Sequence, residues 1–75
     1  MSETLLDLRG LRCPWPALRV ARALREAGEG MDILAVADDP AAPREIAAVA
    51  GERGWHAVAE DTRIGNGLRL SAKPR

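Results

Sequence analysis

Near its start the chain reads Leu6-Asp7-Leu8-Arg9-Gly10-Leu11-Arg12-Cys13-Pro14-Trp15-Pro16. The first half alternates apolar and polar residues, which is the pattern of a strand with one buried face. The second half contains two prolines, which a helix accepts in its first turn but not in its interior. The stretch therefore predicts a strand, a loop at Gly10 and a helix that starts after Cys13, with Cys13 as N-cap and Pro14 as first helical residue.

Cys13 is the only cysteine in the 75-residue chain. A helix N-terminus stabilises an anion, and together with neighbouring arginines such as Arg12 and Arg19 it lowers a cysteine pKa from about 8.5 to about 3.5–7.5. We therefore predict that Cys13 is a reactive thiolate, with Pro14 and Pro16 stiffening the helix start that supports it. The alternative is a small buried hydrophobe. The position of Cys13 between an arginine and a proline argues against that alternative.

Beyond this stretch the chain predicts five further elements and one turn. They are a helix from Pro14 to about Ala27, a strand over 31–37, a helix from Asp39 as N-cap to near Gly54, a strand over 55–60, a turn at 65–67 and a strand over 68–72. With the first strand over 4–9, the order is β-α-β-α-β-β. It predicts a single domain over residues 1–75 with an α/β (α+β) two-layer sandwich fold, in which two helices cover one face of a mixed four-stranded sheet. The strand over 31–37 is nearly continuous in apolar residues and is expected in the middle of the sheet.

Composition excludes several classes of protein. Eleven basic and eleven acidic residues give zero formal net charge, and Phe and Tyr are absent. We therefore do not expect direct binding of nucleic acid, which favours basic surfaces and aromatic stacking platforms. One cysteine and one histidine, His56, cannot form a zinc site or an internal disulfide, so no metal or cofactor is expected. No membrane span or secretory signal is evident, and a cytoplasmic location is predicted.

The stretch Leu6–Pro16 resembles the signature of the TusA/SirA-like (YedF) family, which is marked by Cys-Pro-x-Pro at the start of the first helix. The run Ala37–Ala41 is similar to the family's second strand-to-helix junction, and the resemblance extends over essentially the whole chain. It implies a two-layer sandwich similar to the C-terminal domain of translation initiation factor three. It also implies a sulfur carrier rather than an enzyme.

In such a carrier Cys13 accepts sulfane sulfur as a persulfide from a cysteine desulfurase or rhodanese-like donor. It then passes the sulfur to an acceptor protein. Destinations known in the family are tRNA 2-thiouridine formation, molybdenum cofactor biosynthesis and sulfur oxidation. Because no second cysteine is present to resolve a disulfide, the sulfur has to leave to a partner. The alternative function is a non-catalytic regulatory module in which Cys13 senses oxidants.

Partner docking is assigned to four residues around the cysteine: Arg12, Trp15, Arg19 and Arg22. The positive charges of the three arginines suit the acidic rim of a donor or acceptor protein, and an exposed tryptophan would anchor an interface. The alternative for the arginines is a solvated helix face that includes an Arg22–Glu26 pair. The alternative for Trp15 is packing under the first helix.

Overall fold

The computed structural model describes residues 2–27 and 30–72. The elements in chain order are β1 (Ser2–Asp7), α1 (Trp15–Glu26), β2 (Met31–Val36), α2 (Ala42–Glu52), β3 (His56–Thr62) and β4 (Gly65–Ser71). The strands lie in the order β1-β2-β4-β3. β1 and β2 are parallel, whereas β4 is antiparallel to both of its neighbours. The predicted fold class is confirmed, including the interior position of β2.

The core lies between the two helices and one face of the sheet. On β2 that face carries Ile33 and Ala35, which pair with Leu70 and Leu68 of β4. The helices and the segment after β1 contribute the remaining buried side chains: Leu8, Val20, Leu24, Ala42, Ile46 and Ala50. The buried residues of α1 and α2 follow helical spacing, because positions three and four apart share one helix face.

The face of the sheet without helices carries a network of charges centred on Arg69. The guanidinium donates hydrogen bonds to Glu60 at 2.6 and 2.8 Å, to Asp32 at 2.7 Å and to Glu3 at 3.0 Å. These three carboxylates raise the pKa of Arg69 further above its already high value. Because each carboxylate belongs to a different strand, one side chain of β4 ties together all four strands of the sheet.

Both helices begin later than predicted. α1 starts at Trp15 with Pro14 as N-cap, and Cys13 lies before the cap. The reason is a turn in which the Trp15 N–H donates to the Arg12 carbonyl at 2.8 Å, so that the first helical bond runs from the Leu18 N–H to the Pro14 carbonyl. The Cys13–Pro14 peptide bond is cis. At its other end α1 stops at Glu26, one residue before the predicted end at about Ala27. Gly28, which follows, lies outside the described residues.

α2 starts at Ala42 rather than at Pro40, because Asp39 closes a turn in front of it. The carbonyl of Asp39 accepts the Ala42 N–H at 3.0 Å, and its carboxylate accepts the Ala41 N–H at 2.9 Å. Pro43 then occupies the second helical position, where its missing N–H leaves no helical bond unmade.

The predicted turn at Gly65–Gly67 is wrong, because these residues already belong to β4. They pair with Thr62, Asp61 and Glu60 of β3, so the turn consists of Arg63 and Ile64 alone. The Thr62 hydroxyl holds this turn by donating to the Gly65 carbonyl at 2.7 Å and accepting the Ile64 N–H at 3.2 Å. Glycine at position 67 serves close strand packing instead: a Cβ there would lie 2.6 Å from the Ala35 carbonyl oxygen.

Candidate functional site

The site forms where the carboxyl ends of β1 and β2 meet. Parallel neighbours end at the same edge of a sheet, so the segment that follows β1 runs beside the segment that follows β2. Three hydrogen bonds join the segment after β1 to the last residue of β2 and to the segment that follows it. The Leu8 N–H donates to the Val36 carbonyl at 2.7 Å, and the Gly10 N–H donates to the Asp38 carboxylate at 3.0 Å.

The third bond holds Cys13 itself, since its backbone N–H donates to the carboxylate of Asp39 at 2.9 Å. The other oxygen of Asp39 accepts the Ala41 N–H at 2.9 Å. These two bonds, together with the charge of Arg12, lower the pKa of Asp39 below its usual value. The aspartate that the sequence assigns only to capping the second helix therefore also fixes the backbone of the cysteine.

The thiol of Cys13 is solvent-exposed and lies against a carboxylate. Its Sγ donates to Oε2 of Glu45, on the first turn of α2, at 3.0 Å. This hydrogen bond raises the pKa of the Cys13 thiol above its ordinary value, and partial loss of water and the charges of Glu45 and Asp39 act in the same direction. The expectation of a lowered cysteine pKa is therefore wrong.

The raised pKa of Cys13 has a structural cause. Arg12, which is adjacent in sequence, acts electrostatically on Asp39, while the carboxylate of Glu45 is placed at the sulfur by the packing of α2 beside α1. A carboxylate at hydrogen-bond distance favours the protonated thiol over the thiolate. The tertiary structure therefore favours the thiol form of Cys13 over the thiolate.

Glu45 is the residue that sequence reasoning missed, because it lies 32 positions from Cys13. One of its oxygens, Oε1, is buried and has no hydrogen-bond partner among the described residues. A signal for it does exist in the sequence. If both strand-to-helix junctions lie at one edge of the sheet, an acidic residue in the first turn of the second helix lies beside the residue at the start of the first helix.

A groove of about 300 Å³ opens next to the cysteine, between the two segments. Its lining residues are Gly10, Leu11, Arg12, Asp38, Asp39 and Pro40. The groove therefore combines backbone, one cation and two carboxylates. All its lining residues belong to the segments that follow β1 and β2.

The structure places the predicted docking residues as follows. Trp15 is 59% exposed, which decides against packing under the helix, and Leu18, one turn along α1, is 51% exposed. Arg12 and Arg19 are exposed and form no ion pair within the described part of the chain. Arg22 pairs with Glu26 at 3.2 Å, as the solvated-face alternative predicts.

The two prolines of the predicted site differ in exposure. Pro16 is buried in the first turn of α1, whereas Pro14 is exposed at the cap. His56, the only histidine of the sequence, begins β3, which is the edge strand opposite β1. Within residues 2–27 and 30–72 there is no cluster of three or more His, Cys, Asp or Glu that could hold a metal ion. In the same ranges no helix is long and apolar enough to cross a membrane.

The fold and site define a small two-layer α/β domain that presents one cysteine at the start of its first helix. The family model described as sulfurtransferase TusA matches residues 4–71, and the chain belongs to this sulfur-carrier family. Among solved structures, the crystal structure of the SirA-like protein from Desulfitobacterium hafniense is similar to it. The two are 23% identical, the match covers 95% of this chain and 99% of the other, and the TM-score is 0.72.

Proposed function

We propose that this protein is a cytoplasmic sulfur carrier in which Cys13 is the residue that becomes persulfidated. A cysteine desulfurase or rhodanese-like protein supplies the sulfane sulfur, and an acceptor protein removes it. The acceptor belongs to tRNA 2-thiouridine formation, molybdenum cofactor biosynthesis or sulfur oxidation. The observation that carries the proposal is the exposed Cys13 thiol, held by its backbone at the tip of the domain and accompanied by no second cysteine.

The geometry suits a carrier better than an enzyme. The thiol is exposed beside a groove, so it is accessible to the active-site loop of a partner protein. An enzyme that converts an organic substrate would need further groups that bind and orient that substrate. A persulfide needs only an accessible sulfur, since thiol exchange proceeds by direct attack of one sulfur on another. The carrier domain is proposed to span residues 1–75.

The docking surface is proposed to consist of Trp15, Leu18, Arg12 and Arg19, which surround the start of α1. The exposed side chains of Trp15 and Leu18 lie one helical turn apart and form the apolar part. Arg12 and Arg19 supply positive charge that speeds encounter with acidic partners. Arg22 belongs to the rim, because Glu26 offsets its charge.

The redox-sensor alternative has less support. Oxidation by peroxide follows the population of thiolate, and sensor cysteines have low pKa values. The hydrogen bond from Cys13 to Glu45 raises the pKa of the thiol instead. An empty carrier that is slow to oxidise keeps its cysteine available for sulfur, so the same feature favours the carrier function.

The test is sulfur loading by a cysteine desulfurase supplied with cysteine. Intact-mass spectrometry is expected to show the mass of one added sulfur atom, and a reducing agent is expected to remove it. Cys13→Ser is the control, since serine keeps the backbone N–H that donates to Asp39, while its hydroxyl cannot hold sulfane sulfur. If neither a desulfurase nor a rhodanese-like donor adds sulfur to the wild-type protein, the proposal fails.

A further inference from the structure

Glu45 lies at the site, but the exchange of sulfur between two cysteines does not by itself require its carboxylate. Its carboxylate oxygen Oε2 lies 3.0 Å from Sγ of Cys13, and its other oxygen, Oε1, is buried without a partner among the described residues. The Cys13 thiol is the only hydrogen-bond partner of this carboxylate in the described part of the chain. A buried polar atom without a hydrogen-bond partner is costly to a fold, so the position of this oxygen needs an explanation.

We propose that Glu45 accepts the proton of Cys13 when sulfur is loaded, and thereby acts as the base of the transfer step. This inference rests on the proposed carrier function. The Cys13 S–H proton passes to Oε2 of Glu45 while Sγ attacks the outer sulfur of a protonated donor persulfide. The donor's S–S bond breaks and its electron pair stays on the donor cysteine, which leaves as a thiolate. The proton on Glu45 then neutralises that thiolate, so one thiol and one persulfide give one persulfide and one thiol.

A docked partner makes such a base necessary. The donor has to cover the exposed sulfur and the exposed Trp15 beside it, and this excludes the water and buffer that would otherwise take the proton. A proton acceptor within hydrogen-bond distance, as Glu45 is, then replaces the solvent.

Three charged groups face Cys13 or act at its site, and only one of them is suited to this role. Glu45 approaches from α2, Asp39 from the segment after β2, and Arg12 from the cysteine's own loop. Each oxygen of Asp39 already accepts a backbone N–H, and Arg12 stabilises its charge. Arg12 is already a cation and cannot accept a further proton. Glu45 alone combines contact with the sulfur and an oxygen that is still unpaired.

The test compares two reactions of Cys13 in wild-type protein and in Glu45→Gln. In the first, iodoacetamide alkylates the free thiol in open solvent over a range of pH. Loss of the carboxylate increases the thiolate fraction, so alkylation near pH 7 is expected to be faster in the variant. In the second, a persulfidated cysteine desulfurase loads the protein in a single turnover. This rate is expected to fall by about 10²-fold, the lower end of the range for general acid–base catalysis.

Opposite changes in the two rates are the signature of a proton acceptor. If Glu45 only tuned the thiol or the local structure, both rates would change in the same direction. Glu52→Gln is the matched control, because Glu52 is an exposed glutamate on the same helix and neither rate is expected to change. Loading of Glu45→Gln at the wild-type rate or faster overturns the proposal.

Glu45→Asp is a second variant, which withdraws the carboxylate by one methylene group. Its loading rate is expected between those of wild type and Glu45→Gln, and it decides the question if the glutamine variant does not fold. Loading of the aspartate variant at the wild-type rate overturns the proposal. Failure of the wild-type protein to load sulfur at all is a different result, since it refutes the carrier function itself.

Discussion

Replacement of Gly67 by alanine tests a close contact between β4 and β2. Gly67 lies on β4, opposite Glu60 of β3 and next to β2. A Cβ added there would lie 2.6 Å from the Ala35 carbonyl oxygen and 2.9 Å from a methyl group of Val36. Both residues are almost completely buried in the central strand. The methyl group of alanine therefore has no space unless β4 moves away from β2.

The size of that movement sets the expected effect. Ordinary contact begins at 3.4 Å, so the two strands have to separate locally by about 0.8 Å (3.4 minus 2.6). A carbonyl in a hydrogen-bonded ladder cannot rotate aside as a flexible side chain would. Overpacking of this kind destabilises by about 1–3 kcal/mol, and the rigid neighbour argues for about 2–3 kcal/mol. At about 4–8 °C for each kcal/mol in a domain of this size, the melting temperature falls by about 8–24 °C.

Thermal and urea unfolding followed by circular dichroism measure this effect. Gly51→Ala is the matched control, since Gly51 lies in α2 and no atom approaches within 4 Å of the Cβ that it would gain. That variant is expected to be more stable by about 0.5–1 kcal/mol, because alanine restricts the unfolded chain and favours helix. A melting temperature of Gly67→Ala within about 2 °C of wild type would refute the packing argument.

Three further predictions concern the site and its surroundings. Trp15→Ala is expected to change stability by less than about 0.5 kcal/mol, since the side chain is exposed. It is also expected to raise the KM for desulfurase loading about tenfold, and an unchanged KM removes Trp15 from the docking surface. The pKa of Asp39 is lowered in the folded protein. Its carboxylate therefore stabilises the fold fully at pH values above its ordinary pKa of about 3.9, and this stabilisation is lost as the pH falls through the lowered pKa. Urea unfolding should therefore show a gap between wild type and Asp39→Ala that is larger at pH 7 than near pH 2, and a constant gap would contradict this. The ion pair with Arg9 lowers the pKa of Asp7 to about 2, and carbon-13 NMR should show it returning toward about 3.9 in Arg9→Gln. Titration at the same pH in both proteins would be inconsistent with the pair.

Most of the fold was predictable because its signals are local. Alternation in β1, helical spacing in α1 and α2 and the apolar run of β2 each reflect which faces a segment has to bury. Element ends were less predictable. Each depends on one or two hydrogen bonds, such as the Arg12–Trp15 turn that moves the start of α1 past Pro14. The glycines at 65 and 67 have the composition of a turn, but β4 uses Gly67 for close packing against β2, a demand that only the paired strands create.

For the site, the sequence alone predicted which atom is reactive. A single cysteine among prolines at a helix start indicates Cys13. Only the tertiary structure decided the chemical state of that atom. Arginines adjacent in the chain predict a thiolate, yet β1 and β2 end at one edge and bring Asp39 and Glu45 to the cysteine instead. Hydrogen bonds and charges at about 3 Å set a pKa, and which groups stand that close depends on the packing of segments far apart in the chain.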